Sequence, residues 1–225
     1  AYTVLGGIEA VVWTDVLQVV VLVGGALLSL GIVIADIDGG LATMFKIAAG
    51  DGKFRLVTPG WDHVAPVLWI IFIGGLFQNI ATYSSDQAIV QRYLTTKDER
   101  SAARAIWTNA AMILPSALIW FSLGTALYVF YKFHPLLLDP ALKTDQIFPL
   151  FIAQQLPDGV VGLVIAGLFA ATMSTVDSSL NSSSTVIVND FYRRFRPDAS
   201  DRSALALARS VTLVLGVAVT AAGLW

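Results

Sequence analysis

The stretch GLVIAGLFAATMSTVDSSLNSSSTVIVN, residues 162–189, decides the fold of this chain. It is longer than the ~20 helical residues that cross the ~30 Å hydrocarbon core of a bilayer. Its first half is apolar, whereas its second half is crowded with Ser, Thr, Asp and Asn side chains. Polar groups at membrane depth are costly unless protein, water or an ion satisfies them. The stretch therefore predicts a membrane-spanning helix with a polar site in its second half.

Helical periodicity gathers many of these oxygens on one side of the helix. At about 100° per residue, one face holds Ala171, Ser174, Thr175, Ser178 and Ser182. Asp177 lies on the flank of that face, about 60° from Ser174. Hydroxyl, carbonyl and carboxylate oxygens are the ligands that a hard cation prefers. The alternative is that Ser and Thr hydrogen-bond to backbone carbonyls and allow neighbouring helices to pack closely.

The composition is that of a membrane protein. The chain has 225 residues, of which 56% are hydrophobic and 13% charged, with a mean hydropathy of +0.72. Soluble domains carry about 25% charged residues. A net charge of −2 gives no basic surface for nucleic acid. Because the sequence has no initiator Met and ends inside an apolar run, we expect a fragment of a longer protein.

Hydropathy divides the chain into five predicted spans within a single transmembrane domain, residues 1–225: 10–35, 64–83, 105–131, 160–189 and 204–225. Lys and Arg are more frequent after the second and fourth spans than after the first and third. Because cytoplasmic loops carry this excess, the connectors after the second and fourth spans are predicted to lie inside. The hydroxyl-rich half of the fourth span then lies in the inner half of the membrane.

A second carboxylate, Asp15, lies near the inner start of the first span, at a depth comparable to Asp177. Two carboxylates at similar depth on different helices can share one cation or proton site. The alternative is that Asp15 lies at the interface, either solvated or paired with an Arg. The sequence alone leaves both alternatives open.

The first three predicted spans contain two glycine pairs and one proline. Gly24-Gly25 in the first span is predicted to allow close helix packing. Gly74-Gly75 in the second span predicts either close packing or a break. Pro115 in the third span predicts a tolerated kink.

The sequence offers no catalytic constellation. His63 and His134 each stand alone in a loop, with no second ligand at metal spacing. Gly-x-Ser-x-Gly, Walker and His-Glu-x-x-His motifs are absent from the sequence. A membrane-embedded enzyme would have only Asp15 and Asp177 as intramembrane acids, so we predict that the protein is not an enzyme.

Three blocks of the chain resemble the sodium:solute symporter family, which contains the sodium–glucose, sialic acid, iodide and vitamin cotransporters. They are GGIEAVVWTDVLQ at 6–18, SSDQAIVQRYLTTKDERSAARAIW at 84–107, and GLVIAGLFAATMSTVDSSLNSSSTVIVNDFYRRF at 162–195. The resemblance implies an all-α membrane protein with part of the inverted-repeat, LeuT-type transporter fold and alternating access. The first span corresponds to the last helix of the first repeat, and the others to the first four helices of the second.

The resemblance also implies sodium ligands. The family's main sodium site matches the Ala171 carbonyl, Ser174 and Thr175, and its other half comes from a core helix outside this chain. A second sodium site of some members matches Asp15 together with Ser174, Asp177 and Ser178. Asp177 departs from the family, where a hydroxyl is more usual, and this change either strengthens cation binding or adds a proton site.

Solute contacts implied by the sugar branch of the family match Gln78, Asn79, Thr82, Tyr83 and Asp86. Thr82 replaces the aromatic residue that sugar carriers place at the inner gate, which weakens a sugar assignment. The SDQ-x-x-VQRYL block differs from that of proline carriers. We expect sialic acid or another sugar derivative as the solute, with a monocarboxylate or a vitamin as the alternative.

The sequence therefore predicts a multi-pass cell-membrane symporter that moves a small polar solute with sodium. Its expected partners are the solute, sodium, the lipid bilayer and the remainder of the transporter chain, but not nucleic acid. A passive channel or sensor on the same fold is the rival from another class. Because half of the main ion site is missing, we expect this chain alone to transport nothing.

Overall fold

The computed structural model describes residues 2–54 and 67–224, so His63 and the first residues of the predicted second span lie outside the description. Within these ranges the chain is helical. The helices, in chain order, are α1 (Tyr2–Ala35), α2 (Gly40–Gly50), α3 (Leu68–Ser85), α4 (Gln87–Leu94), α5 (Glu99–Phe133), α6 (Ile147–Gln155), α7 (Asp158–Val186), α8 (Arg193–Phe195) and α9 (Asp201–Gly223). A π-helical turn, Ile187–Tyr192, joins α7 to α8.

Four helical segments within the described residues are long and apolar enough to cross a membrane: Gly7–Ala35, Glu99–Phe133, Asp158–Phe195 and Asp201–Gly223. The predicted second span corresponds to α3, which has 18 residues and a polar C-terminal half. Because α3 is not among the four, the division into five spans stays a prediction.

Helix α5 begins six residues before the predicted third span. Asp98 precedes its first residue, and the Asp98 carboxylate accepts a hydrogen bond from the Ser101 backbone N–H at 2.7 Å. This bond satisfies one of the free N–H groups of the first turn, as an N-cap does. The charged segment that separates the spans in sequence is therefore the first turn of the helix itself. The helix continues through Pro115 without interruption.

The chain divides into two compact units, and the first consists of Val20–Gln78 and Ala103–Leu168. Its core centres on Phe130, whose ring contacts that of Phe151 edge-on with centroids 5.2 Å apart. Both side chains are almost fully buried. Burying an aromatic side chain of this size contributes about 1.5–3 kcal/mol through the hydrophobic effect.

Glycines bring α1 and α7 close together within this unit. A Cβ at Gly167 would lie 3.0 Å from the Cα of Leu22, and one at Gly25 would lie 3.3 Å from the Cα of Val164. Any larger side chain would push the backbones apart. The close packing predicted for Gly25 is thus present. At Gly74 and Gly75, by contrast, α3 is continuous, and outside the helix's own backbone an added Cβ would meet no atom of the described residues within 4 Å.

The other unit consists of Ala1–Val19, Asn79–Ala102 and Phe169–Trp225, and contains the polar half of α7. Its part of α1 is kinked at Gly7, where φ is 57° and ψ is −147°. Only glycine adopts this conformation without strain. The kink interrupts the hydrogen bonding of the helix, and the carbonyl of Leu5 accepts from Arg209 Nη2 at 3.4 Å. Asp15 lies about two turns beyond the kink.

Candidate functional site

The polar face of α7 meets a carboxylate from α1. Ser174 Oγ donates a hydrogen bond to Asp15 Oδ1, with 2.5 Å between the oxygens. Asp15 is largely buried, its side chain being 17% exposed. The structure therefore brings together two predicted site residues that are 159 positions apart in sequence.

Arg92 supplies the positive charge beside this carboxylate. It lies in the last turn of α4. Its Nη2 donates to Asp15 Oδ2 at 2.7 Å and to Ser178 Oγ at 2.8 Å. The guanidinium thus bridges α1 and α7. Of the two alternatives left open for Asp15, pairing with an Arg is the arrangement found in this structure.

From the sequence alone, Arg92 is only one of the basic residues after the second span that predict the orientation of the chain. A signal for its role was nonetheless present, because a carboxylate within an apolar span needs a counter-charge or a hydrogen-bond donor. Helix α4 is short and amphipathic, and Arg92 lies at the end nearest to the inner surface of the predicted topology. The pairing itself required the fold, because Arg92 and Asp15 are 77 positions apart.

The other residues predicted for the main sodium site, Ala171 and Thr175, flank Ser174 on α7. Thr175 Oγ1 donates to the Ala171 carbonyl at 3.1 Å, and Ser179 Oγ donates to the Thr175 carbonyl at 2.8 Å. These are the bonds to the preceding turn that the alternative explanation expects. They use the hydroxyl protons and leave lone pairs on the hydroxyl oxygens, so the same residues can still coordinate a cation.

Three buried side-chain oxygens near this cluster have no hydrogen-bond partner among the described residues. They are Oε1 of Gln18, one turn beyond Asp15 on α1, Oε1 of Gln91, the neighbour of Arg92 on α4, and Oγ of Ser182, one turn beyond Ser178 on α7. A buried donor, Nε of Arg92, is also without a partner there. The amide nitrogen of Gln91 donates to Thr185 Oγ1 at 3.0 Å. Buried acceptors without a donor are unusual, and a cation or water satisfies them at an ion site. The residues present therefore fit a hard cation.

Asp177 has a different environment from Ser174. It is half-buried and lines a cavity of about 550 Å³ together with Thr212, Gly216 and Thr220 of α9. Ser174 and Ser178 face Asp15 and Arg92 instead. The flank position predicted for Asp177 thus places it toward α9.

The predicted solute residues lie at the end of α3 and the start of α4. Gln78 and Asn79 are exposed, whereas Thr82 and Tyr83 are half-buried. Asp86 has a structural function here, because its Oδ1 accepts from the Ala88 backbone N–H at 2.9 Å and caps α4. The capping bond leaves the other carboxylate oxygen of Asp86 available.

Comparison with known proteins identifies relatives along the whole chain. The profile of the sodium:solute symporter family matches residues 1–224. The sodium/sialic acid symporter SiaT of Proteus mirabilis is 37% identical over 226 residues, which cover 100% of this chain and 46% of SiaT. The sodium/sialic acid symporter NanT of Aliivibrio fischeri is 33% identical, covering 96% of this chain and 43% of NanT. The sodium-dependent multivitamin transporter of Oryctolagus cuniculus is 30% identical, covering 96% of this chain and 34% of that protein.

A solved structure matches equally closely. It is a substrate-bound outward-open state of a Na⁺-coupled sialic acid symporter, with a TM-score of 0.93 and 37% identity, covering 100% of this chain and 47% of the solved chain. The match confirms the predicted fold class, an all-α membrane protein with part of the LeuT-type inverted-repeat fold. The chain spans about half the length of the curated sialic acid symporters that it matches.

Proposed function

Because the chain belongs to the sodium:solute symporter family, we propose that the full-length protein containing it moves a small polar solute across the cell membrane together with sodium. Sodium is a co-substrate in this proposal. The solute favoured is sialic acid or a related sugar derivative, because the relatives at 37% and 33% identity are sodium/sialic acid symporters. A vitamin or monocarboxylate is the second candidate, supported by matches to a multivitamin transporter and to sodium-coupled monocarboxylate transporters.

The observation that carries the proposal is the hydrogen bond between Ser174 and Asp15. A carboxylate, two serine hydroxyls and an α7 carbonyl lie within a few turns of helix. Sodium prefers such oxygen ligands, and a carboxylate supplies the opposite charge. We assign Asp15, Ser174 and Ser178 to one sodium site, and the Ala171 carbonyl, Ser174 and Thr175 to the other. Asp177, which lies toward α9, is left outside both sites.

Ser174 belongs to both sets, which gives it a role in coupling them. Its hydroxyl proton is directed at Asp15, so its lone pairs are free to face a cation on the other side. A cation at either site polarises this hydroxyl and changes its bond to Asp15. The two sodium ions are thereby expected to bind interdependently.

Arg92 competes with sodium for Asp15 in this account. The guanidinium already occupies Asp15 Oδ2, and its side chain is 41% exposed. Two cations about 4 Å apart repel by about 4 kcal/mol at an effective dielectric constant of 20, and exposure of Arg92 lowers this figure. Sodium binding is therefore expected to loosen the Arg92–Asp15 pair. The same pair holds α1, α4 and α7 together when sodium is absent.

Coupled transport requires sodium and solute to favour the same conformation, since a ligand that binds two states equally shifts neither. A membrane potential of 100 mV adds about 2.3 kcal/mol for each sodium charge that enters. This drive is enough to concentrate a solute by more than tenfold per sodium ion. A catalytic step forms no part of the proposal.

The experiment that tests the proposal is uptake into proteoliposomes containing the full-length protein. Labelled sialic acid, galactose, pantothenate and lactate are each supplied in sodium and in potassium. Concentrative uptake of sialic acid only in sodium is the expected result. Uptake of pantothenate or lactate instead would favour the second candidate, and uptake that never exceeds equilibrium would indicate a channel.

A further inference from the structure

A second cavity, of about 610 Å³, lies in the unit that contains Val20–Gln78 and Ala103–Leu168. Its walls come from the C-terminal half of α5, from Lys53 just after α2, and from the segment that leads into α6. Leu127, Ile147 and Phe148 make most of the surface apolar. None of the residues proposed to bind sodium lines it. Its volume is that of a small-molecule site.

Among the described residues at this cavity, one of the two lysines forms no ion pair with a carboxylate. Asp51 Oδ2 accepts from Lys132 Nζ at 2.5 Å and from the Tyr128 hydroxyl at 3.0 Å. Lys132 is therefore paired. Lys53 Nζ lies 4.0 Å from the centre of the Tyr128 ring, and no ion pair of Lys53 is found among the described residues. The charges of Lys53, Lys132 and Asp51 give this edge of the cavity a net charge of +1.

The Tyr131 hydroxyl lies behind the inner wall of the cavity. Tyr131 lines the cavity and is 5% exposed, and its Oη is buried without a hydrogen-bond partner among the described residues. Leaving a buried hydroxyl unpaired costs free energy, so such groups usually have a water or ligand partner. An apolar cavity with a net positive charge at its edge matches the usual make-up of a ligand site.

We propose that this cavity binds a small carboxylate with an apolar or aromatic body. The carboxylate pairs with Lys53 at the mouth, and the body packs against Leu127 and Phe148. The net positive charge favours an anion over a cation, and the apolar lining favours this class over a neutral sugar. The Lys and Arg distribution predicts that this end of α5 lies on the outer side, so the ligand is expected to enter from outside.

The test measures binding to the purified full-length protein in sodium-free buffer, by calorimetry or saturation-transfer NMR. The probes are 4-phenylbutyrate and its neutral isostere 4-phenylbutyramide. We expect the acid to bind more tightly than the amide by up to about fivefold, the range of a solvent-screened charge pair. Because sodium is absent, failure of this test and failure of sodium-coupled uptake can be told apart.

Three variants locate the binding. Lys53→Gln is expected to abolish the preference for the acid, whereas Lys46→Gln, an exposed lysine of α2 away from the cavity, leaves the preference unchanged. Asp51→Asn frees Lys132 and is expected to increase affinity for the acid.

Equal affinity for acid and amide in the unmodified protein would overturn the proposal. So would Lys53→Gln and Lys46→Gln variants that bind the acid alike. Lys53→Gln changes an exposed side chain, and its folding can be checked by thermal unfolding. The proposal therefore remains testable even if Asp51→Asn fails to fold.

Discussion

Arg92 Nη2 lies 2.7 Å from Asp15 Oδ2, so the carboxylate proposed to bind sodium is already paired with a cation of the protein itself. The same nitrogen contacts Ser178 Oγ at 2.8 Å. Arginine stays protonated at any physiological pH. Sodium must therefore share Asp15 with a permanent positive charge, or displace it.

Replacing Arg92 with Gln should raise sodium affinity. The substitution removes a competing positive charge and leaves an amide that can still donate to Asp15. We expect the half-saturating sodium concentration of uptake to fall by up to about tenfold, which corresponds to about 1.4 kcal/mol of relieved repulsion. Arg100→Gln, an exposed arginine early in α5, is the matched control and should leave it unchanged. If the half-saturating sodium concentration rises in the Arg92→Gln variant instead, Arg92 supports the sodium site.

Replacing Asp15 with Asn should alter the coupling ratio. The amide oxygen can still accept from Ser174, but the negative charge is lost and Arg92 has no counter-charge. We expect one sodium fewer per solute, measured as the ratio of charge to solute flux. Thermal unfolding of the same preparation separates this effect from instability, because an unpaired charge also destabilises the protein. An unaltered ratio would leave Asp15 with a structural role only.

Two substitutions of Asp86 distinguish its role as a helix cap from a role in contacting the solute. Its carboxylate accepts from the Ala88 N–H, and Asn can make the same bond. We expect Asp86→Ala to destabilise the protein by about 1 kcal/mol and Asp86→Asn to retain stability. The KM for the solute tests whether Asp86 also contacts the solute. If Asp86→Asn raises KM while stability is unchanged, the carboxylate contacts the solute as the family resemblance implies.

Asp51, which lies outside the sodium site, is expected to make the stability of the protein depend on pH. Hydrogen bonds from Lys132 and then from Tyr128 lower the pKa of Asp51 below its ordinary value of 3.8. Since the pKa is lower in the folded protein, the stabilisation is complete well above pH 3.8 and is lost as pH falls through the folded pKa. We expect the difference in unfolding temperature between the unmodified protein and Asp51→Asn to be constant from pH 7 to about pH 5. A difference that already disappears near pH 6 would contradict this pairing.

Periodicity within one helix predicted the polar face of α7 well, because the spacing of Ser174 and Ser178 is fixed by helix geometry alone. Hydropathy likewise predicted the long apolar helices, since crossing a bilayer requires backbone groups that are satisfied within the segment. The bond between Asp15 and Ser174 could be expected only from the family resemblance. Nothing local in the sequence brings residues 159 positions apart into contact.

Arg92 and the start of α5 show where sequence reasoning fell short. The pairing of Arg92 with Asp15 depends on how α4 packs against α1 and α7, which charge counting does not address. Helix α5 begins at Glu99 because Asp98 caps it and because Glu, Arg and Ala favour helix, although these residues are too polar to count as a membrane span. Hydropathy measures burial in lipid and does not register where a helix begins.

The most direct test of the central claim is the sodium dependence of uptake by Ser174→Ala, with Ser179→Ala as its control. Ser174 donates to a carboxylate, whereas Ser179 donates to a backbone carbonyl on an exposed face. Ser174→Ala removes an oxygen ligand from both proposed sodium sites, and loss of a group that supports a metal site lowers affinity by about 10–100-fold, so we expect the half-saturating sodium concentration to rise about tenfold or more. Ser179→Ala should match the unmodified protein. If both variants retain the original sodium dependence, Ser174 does not bind sodium, and the coupling mechanism proposed here is wrong.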